Sequence, residues 1–337
     1  MSRAAAITKP ERSRSFPLAI SAPDAEQWIM RCLHFFAATA ALMPFTGHAD
    51  MCGIPFTKAA HLYEPKQDAI IAWNGKEELL YLQTTLAASQ DTKVLEMMPL
   101  PNRPTVEACD PGIFKRCAFL LPQGLADTSD GGSADGADPF GGGTPAGEVV
   151  ERKLIGSHDL RIVQLHDAKE FAAWVAKEFS AEGSGLTVPE PLLNAVGDYA
   201  KDGYKWYLFD VVDLKKEATK KTPLRIRFAT DTLYYPMRNT KVQKGQTTVS
   251  LSILTNVLFN KEDCIGIPRE SIEVPAKPVD IPAVKLSWID PPIYELLGQP
   301  AQAKLRSWKI SGAIDSFEKD LLVRNPAPAK ADAAAGE

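Results

Sequence analysis

Asn74-Gly75 stands between two apolar, β-leaning runs, Asp68–Trp73 (DAIIAW) and Glu78–Leu86 (ELLYLQTTL). Asn-Gly supplies the positive backbone angles that a tight hairpin turn needs, so this stretch predicts two antiparallel strands. Val94–Met98 reads as a further strand. Pro99-Leu100-Pro101 then predicts an extended bend, since proline lacks the N–H that a ladder needs. Asp110-Pro111 predicts a helix start, cap followed by N1 proline, for a short element ending near Cys117. Asp159–Leu165 (DLRIVQL), Tyr204–Leu214, Leu224–Ala229 and Thr247–Leu254 read as strands.

Between these strands lies a helix pair. Asp167 and Glu170 predict a capping box, with Phe171, Trp174, Val175 and Phe179 on one face and Gly183 as the stop. Pro189 opens the second helix, with Leu192, Leu193, Val196 and Tyr199 inward and Gly203 as its end. Residues 268–292 read as extended and proline-punctuated; Ile293–Leu297 and Ile310–Leu322 read as short helices. Helices this few, not alternating with the strands, predict an α+β fold. Its mostly antiparallel sheet is covered by the helix pair at about 167–203.

Two segments differ from the rest in composition. Residues 123–148 hold eight glycines, five acids and no lysine or arginine, and predict a flexible insert within one domain. Residues 324–337 read as a disordered Ala/Pro tail. The N-terminus carries an address. Arg31 precedes the 14-residue apolar run Cys32–Phe45, and a small residue stands at the exit. That is the pattern of a secretory signal peptide over residues 1–49, cleaved after Ala49, with Met30 as an alternative start. Lipidation at Cys52 is disfavoured by Met51, which fills a place that wants a small residue. No later run is long and apolar enough to serve as a transmembrane anchor.

The expected mature domain, 50–323, is therefore exported, to the periplasm or beyond. Removing the leader deletes five basic and three acidic residues, leaving 33 basic against 39 acidic and a net charge of −6. That balance argues against nucleic acid as a partner. Four cysteines remain. Cys109 with Cys117, eight apart, and Cys52 with Cys264 are the expected disulfides, with four buried free thiols as the alternative.

The ordered series of segments resembles the bacterial exported family called domain of unknown function 2330. It comprises Met97-Met98-Pro99-Leu100-Pro101, Asp110-Pro111-Gly112-Ile113-Phe114 and Phe171-Ala172-Ala173-Trp174-Val175. It continues with Tyr199 through Tyr207, Thr222 through Phe228, and Tyr235-Pro236-Met237-Arg238. The resemblance spans about residues 52–256. It implies an exported bacterial domain, and the polar tail implies a mature form free of the C-terminal anchor of such relatives. It carries no catalytic residues.

Chemistry-bearing motifs are sparse. HExxH, GxSxG, GxGxxG, GxxxxGK[ST] and CxxC are all absent. His61, His158 and His166 are the mature chain's histidines, and zinc would need all three gathered by folding. In the insert, Asp127, Ser129, Gly132, Ser133, Asp135 and Asp138 fall at positions 1, 3, 6, 7, 9 and 12 of a twelve-residue loop. With Asp130 these acids make a candidate calcium site, although Gly131 occupies position 5 and Asp replaces Glu at 12. No other cofactor is expected. Tyr204, Trp206, Tyr235 and Arg238 form a candidate ligand-binding group, since aromatic rings beside a guanidinium can hold an anion. An arginine pinned by an internal carboxylate is the competing reading. The expectation is a non-enzymatic domain binding an envelope protein or surface component; an envelope hydrolase and a calcium-dependent surface protein are the alternatives.

Overall fold

The hairpin forms where Asn74-Gly75 places it. In the computed structural model, β2 (Leu62–Trp73) and β3 (Glu77–Ala88) pair antiparallel. Gly75 takes φ +94°, and Asn74 Oδ1 accepts the backbone N–H of Lys76 and Glu77, each at 2.8 Å. The structure describes residues 52–122, 146–183, 186–217, 219–242 and 246–324. The leader, the acids Asp127, Asp130, Asp135 and Asp138, and residues 325–337 lie outside the described residues.

The remaining strands follow in chain order. They are β1 (Cys52–Pro55), β4 (Thr92–Leu100), β5 (Thr105–Ala108), β6 (Gly147–Ile155), β7 (His158–Leu165) and β8 (Trp206–Leu214). Next come β9 (Thr219–Lys220), β10 (Leu224–Ala229), β11 (Thr232–Tyr235), β12 (Gln246–Thr255), β13 (Ile272–Glu273) and β14 (Val279–Pro282). β15 (Gln302–Ala313) and β16 (Leu321–Arg324) close the series. Helices α1 (Gly112–Leu120), α2 (Phe171–Glu178), α3 (Glu190–Lys201), α4 (Ala283–Ile289) and α5 (Pro291–Leu296) complete the described elements. One sheet has the order β1-β4-β8-β7-β6. The larger runs β13-β15-β12-β2-β3-β10-β5, with β14 on β15 and β9 on β3. β11 and β16 form a separate ribbon. Pairing is antiparallel except for β12 with β2. The fold is thus strand-dominated with antiparallel sheets, within the α+β class.

Alternation along the strands sorts their side chains into layers. Met98, Leu100, Leu160, Ile162 and Leu208 of the first sheet share one apolar cluster with Ala69, Ile71, Leu80, Leu82, Ile226 and Ile253 of the second. The opposite face of the first sheet, including Leu95, Met97, Val163 and Phe209, clusters with Phe171, Trp174 and Val175 of α2 and Leu192, Val196 and Tyr199 of α3. The outer face of the second sheet, including Ile70, Leu79, Tyr81 and Leu305, clusters with Ile113, Leu286, Ile289 and Ile293 of α1, α4 and α5. Arg161 of β7 adds a polar tie to its layer: it pairs with Glu178 at 3.1 Å and with Glu182, and lies over the Phe179 ring at 4.3 Å.

Several local expectations are corrected by tertiary context. Pro99 lies inside β4 opposite Tyr207. Its carbonyl accepts the Tyr234 hydroxyl at 2.9 Å, so its missing N–H falls on the side where no ladder bond is made. α2 starts at Phe171 without a capping box; Asp167 instead accepts the Lys169 N–H, and Glu170 makes no side-chain cap. Gly147 and Glu148, assigned to the insert, belong to β6, where a Cβ on Gly147 would meet the Trp174 ring at 2.9 Å. Residues 283–289 are helical rather than extended. Ile310 lies in β15, not in a helix: along this strand Ala303 and Leu305 enter one apolar layer and Trp308 and Ile310 the other, and that hides the strand period.

The disulfide expectation is also corrected. Cys52, Cys109, Cys117 and Cys264 are all free. Cys52 joins the helix-facing cluster of the first sheet and Cys264 the cluster between the sheets, so a strand layer separates them. Burial pushes the Cys52, Cys109 and Cys117 thiols up to about 12, which keeps them protonated.

The layer between the sheets is interrupted by buried charge. Glu96 of β4 stands opposite Asp210 of β8. His158 Nδ1 lies 2.5 Å from Asp210 Oδ2, and its Nε2 lies 2.8 Å from the Thr222 carbonyl oxygen. Lys221 pairs with Glu96 and, at 3.4 Å, with Asp210. Its own backbone N–H donates to Thr84 O of β3 at 3.1 Å. With both imidazole nitrogens donating, two negative charges meet two positive ones across the sheets. Burial alone would raise the Asp210 carboxyl; the charges of His158 and Lys221 outweigh it and hold it below the usual carboxylate range.

Two predictions follow from this packing. Lys221→Met removes the cation that Glu96 and Asp210 share and should cost about 3–5 kcal/mol in urea unfolding, whereas Lys221→Met with Glu96→Met should cost much less. Because the folded Asp210 pKa is lowered, its contribution is present above about pH 4 and is lost as pH falls through the lowered value, so Asp210→Asn should flatten stability against pH there. Separately, a Cβ at Gly266 would lie 1.7 Å from the Asp320 carbonyl oxygen. Gly266→Ala should therefore destabilise by about 1–3 kcal/mol, read by thermal unfolding.

Candidate functional site

Four turns converge at one end of the sheets and enclose an open cleft of about 520 Å³. They are the hairpin turn at Gly75–Lys76, the exit of β4 at Pro101–Asn102, the end of α3 at Asp202–Tyr204, and the β10–β11 turn at Ala229–Thr232. Each turn is held by its neighbours. The Thr230 N–H donates to Lys76 O at 2.8 Å, and Asn102 Nδ2 donates to Ala229 O at 2.9 Å. Trp73 Nε1 reaches Thr230 O at 3.2 Å from below. Gly203, at φ +87°, lets the chain leave α3 and turn Tyr204 back, so that the Tyr204 N–H meets Tyr199 O at 2.9 Å.

Tyr204 forms an aromatic wall of the cleft. Its ring packs edge-on to Tyr199 at 5.2 Å and tilted on Tyr234 at 5.8 Å. Burial pushes its hydroxyl well above the usual tyrosine range, so it stays a neutral donor. Asp231 and Lys76 stand exposed on the lining, and neither makes an ion pair among the described residues.

Behind this lining lies an ion-paired support. Arg238 Nη1 donates to Asp202 Oδ2 at 2.6 Å, and its Nη2 lies 3.7 Å from Asp320 Oδ2. Its guanidinium sits 3.9 Å from the Tyr199 ring centroid. Asp320 Oδ1 accepts the Tyr199 hydroxyl at 2.7 Å and the backbone N–H groups of Met237 and Arg238 at 2.9 Å each. Burial pushes the Asp320 carboxyl up, and these donors and Arg238 oppose that rise. This network clamps α3 to the segment 237–238 and to the approach to β16, and so sets where Asp202 and Tyr204 stand.

Of the four residues singled out in the sequence, only Tyr204 lines the cleft. Arg238 is engaged with Asp202 and Asp320, as the competing internal-carboxylate reading has it. Tyr235 is fully buried, and Trp206 packs at the edge of the core with the Arg103 guanidinium 5.9 Å from its ring. Asp231, Asn102 and Lys76 were missed. Their only sequence signal is that each lies in a turn, and turn residues do not announce which turns will meet.

No group of three or more His, Cys, Asp or Glu side chains that could hold a metal occurs among the described residues. His158 is committed to Asp210 and Thr222, and His166 lies 3.7 Å from Glu148. No helix among the described residues is long and apolar enough to cross a membrane.

No curated protein matches the chain. Among solved structures, that of a mutated baculovirus P35 after caspase cleavage is similar at 9% identity and a TM-score of 0.34. It covers 77% of this chain and 100% of that one, a likeness too slight to support fold or function. A family profile described as "uncharacterized protein conserved in bacteria (DUF2330)" matches residues 47–289, from before β1 to the end of α4. The first sheet, the helix pair and the cleft-forming turns lie within that span, β15 and β16 lie beyond it, and the chain belongs to this bacterial family, DUF2330.

Proposed function

We propose that this protein is an exported bacterial binding domain, and that its cleft holds a basic side chain presented by a partner in the cell envelope. The observation that carries the reading is the exposed Asp231 carboxylate beside the neutral Tyr204 hydroxyl. Tyr204's ring suits the aliphatic stem of a lysine or arginine, and Asp231 its charged head. Lys76, on the same lining, suits a carbonyl or carboxylate of the partner's main chain. The ion pairs of Arg238 with Asp202 at the lining and with the buried Asp320 behind it keep this surface from collapsing, which lowers the ordering cost of binding. Export rests on Arg31, the apolar run Cys32–Phe45 and Ala49.

Calorimetric titration of the full chain with short arginine- or lysine-containing peptides should give saturable binding, and norleucine analogues should give none. Asp231→Asn should weaken that binding about tenfold while leaving the thermal midpoint unchanged. Equal affinity of the variant, or binding indifferent to the basic side chain, would overturn the reading. For export, residues 1–49 fused to a reporter active only outside the cytoplasm should give activity, and Leu42→Arg should abolish it. A fusion retained inside the cell would remove the exported part of the proposal.

A further inference from the structure

The exposed face of α1 and α4 is apolar where a helix surface is ordinarily polar. Phe119 is 79% exposed, Val284 81% and Trp288 50%. Phe119 and Trp288 pack edge-on across the two helices with ring centroids 6.3 Å apart, which makes one contiguous patch. The opposite faces of the same helices are spent on the core through Ile113, Cys117, Leu286 and Ile289. The helices are therefore held rigidly with the patch outward.

A positive charge stands beside the patch. Lys285 lies next to Val284 and is exposed. Asp110 is neutralised by Arg116, and Asp290 is engaged by Arg225 at 3.0 Å and by the Tyr81 hydroxyl at 2.7 Å. Lys285 has no ion pair among the described residues.

We propose that this face of α1 and α4 docks on an anionic lipid surface. Aromatic rings with an aliphatic neighbour suit the boundary between headgroups and acyl chains, and the flanking Lys285 suits anionic headgroups. A second copy of the chain fits less well, because a two-fold contact through the patch would set Lys285 of each copy near the other. The proposal shares no residue with the cleft, so each stands or fails separately.

The test is co-sedimentation of the full chain with vesicles of phosphatidylcholine, alone or mixed with phosphatidylglycerol. Binding should require the anionic lipid and weaken with salt. Phe119→Ser with Trp288→Ser should lower the affinity about tenfold or more, and Lys285→Glu should also lower it. Acyl chains carrying bromine should quench tryptophan emission in the parent and less so in Trp288→Phe, a change mild enough to leave the fold intact. Absence of binding to the mixed vesicles would overturn the proposal. So would equal binding by parent and double variant, which would assign adsorption to the apolar leader run. Self-association lost in the double variant, without lipid binding, would assign the patch to a second copy.

Discussion

Two carboxylates and two cationic groups sit inside the layer between the sheets, and the rest of the architecture is arranged around keeping them satisfied. Glu96, Asp210 and His158 come from the first sheet, and Lys221 comes from a segment hydrogen-bonded to β3 of the second. They divide the interior into a large apolar cluster around Met98, Leu208 and Ile71 and a small one of Leu86, Ala88, Val94, Val212 and Leu214. Apolar packing tolerates small slips of one sheet over another. A buried quartet does not, because any shift leaves a charge without its partner in low dielectric. The register between the sheets is thereby pinned, and with it the position of every turn at their ends.

The cleft inherits its shape from that registration. Its walls come from four chain segments with no rigid element of their own, and each is tied to another by backbone or side-chain hydrogen bonds. The Tyr199–Asp320–Arg238–Asp202 network repeats the same logic near the surface: a carboxylate saturated by donors, a guanidinium stacked on a ring, and a second carboxylate brought to the cleft's edge. The patch on α1 and α4 is built differently. Its side chains are left outside because the inner faces of these short helices are already committed to the second sheet.

Much of the local structure was legible from residues alone, because it depends on neighbours in the chain. Asn74-Gly75 specified a hairpin through side-chain acceptance and a positive φ, and Gly203 ended α3 for the same conformational reason. The amphipathic faces of α2 and α3 were readable because Phe171, Trp174, Val175, Leu192 and Val196 repeat at helical spacing. Failures came where a long-range partner overruled a local rule. Pro99 sits within a strand because its ladder side is not the side its N–H would face, and β15 lost its alternation because both of its faces are buried.

The sequence by itself determined the β2–β3 hairpin, the strands near residues 94–98, 159–165, 206–214, 224–229 and 247–254, the helix pair and the family resemblance. All of these rest on periodicity, capping chemistry and short ordered segments. Only the tertiary structure decided that the four described cysteines stay apart, that Arg238 is spent on Asp202 and Asp320, that His158 joins Asp210 and Lys221, and that Tyr204 meets Asp231 across a cleft. The reason is physical. Each of these is a meeting of residues far apart in the chain, and which partners meet is set by sheet order and register, which satisfy all buried groups at once rather than any one of them locally.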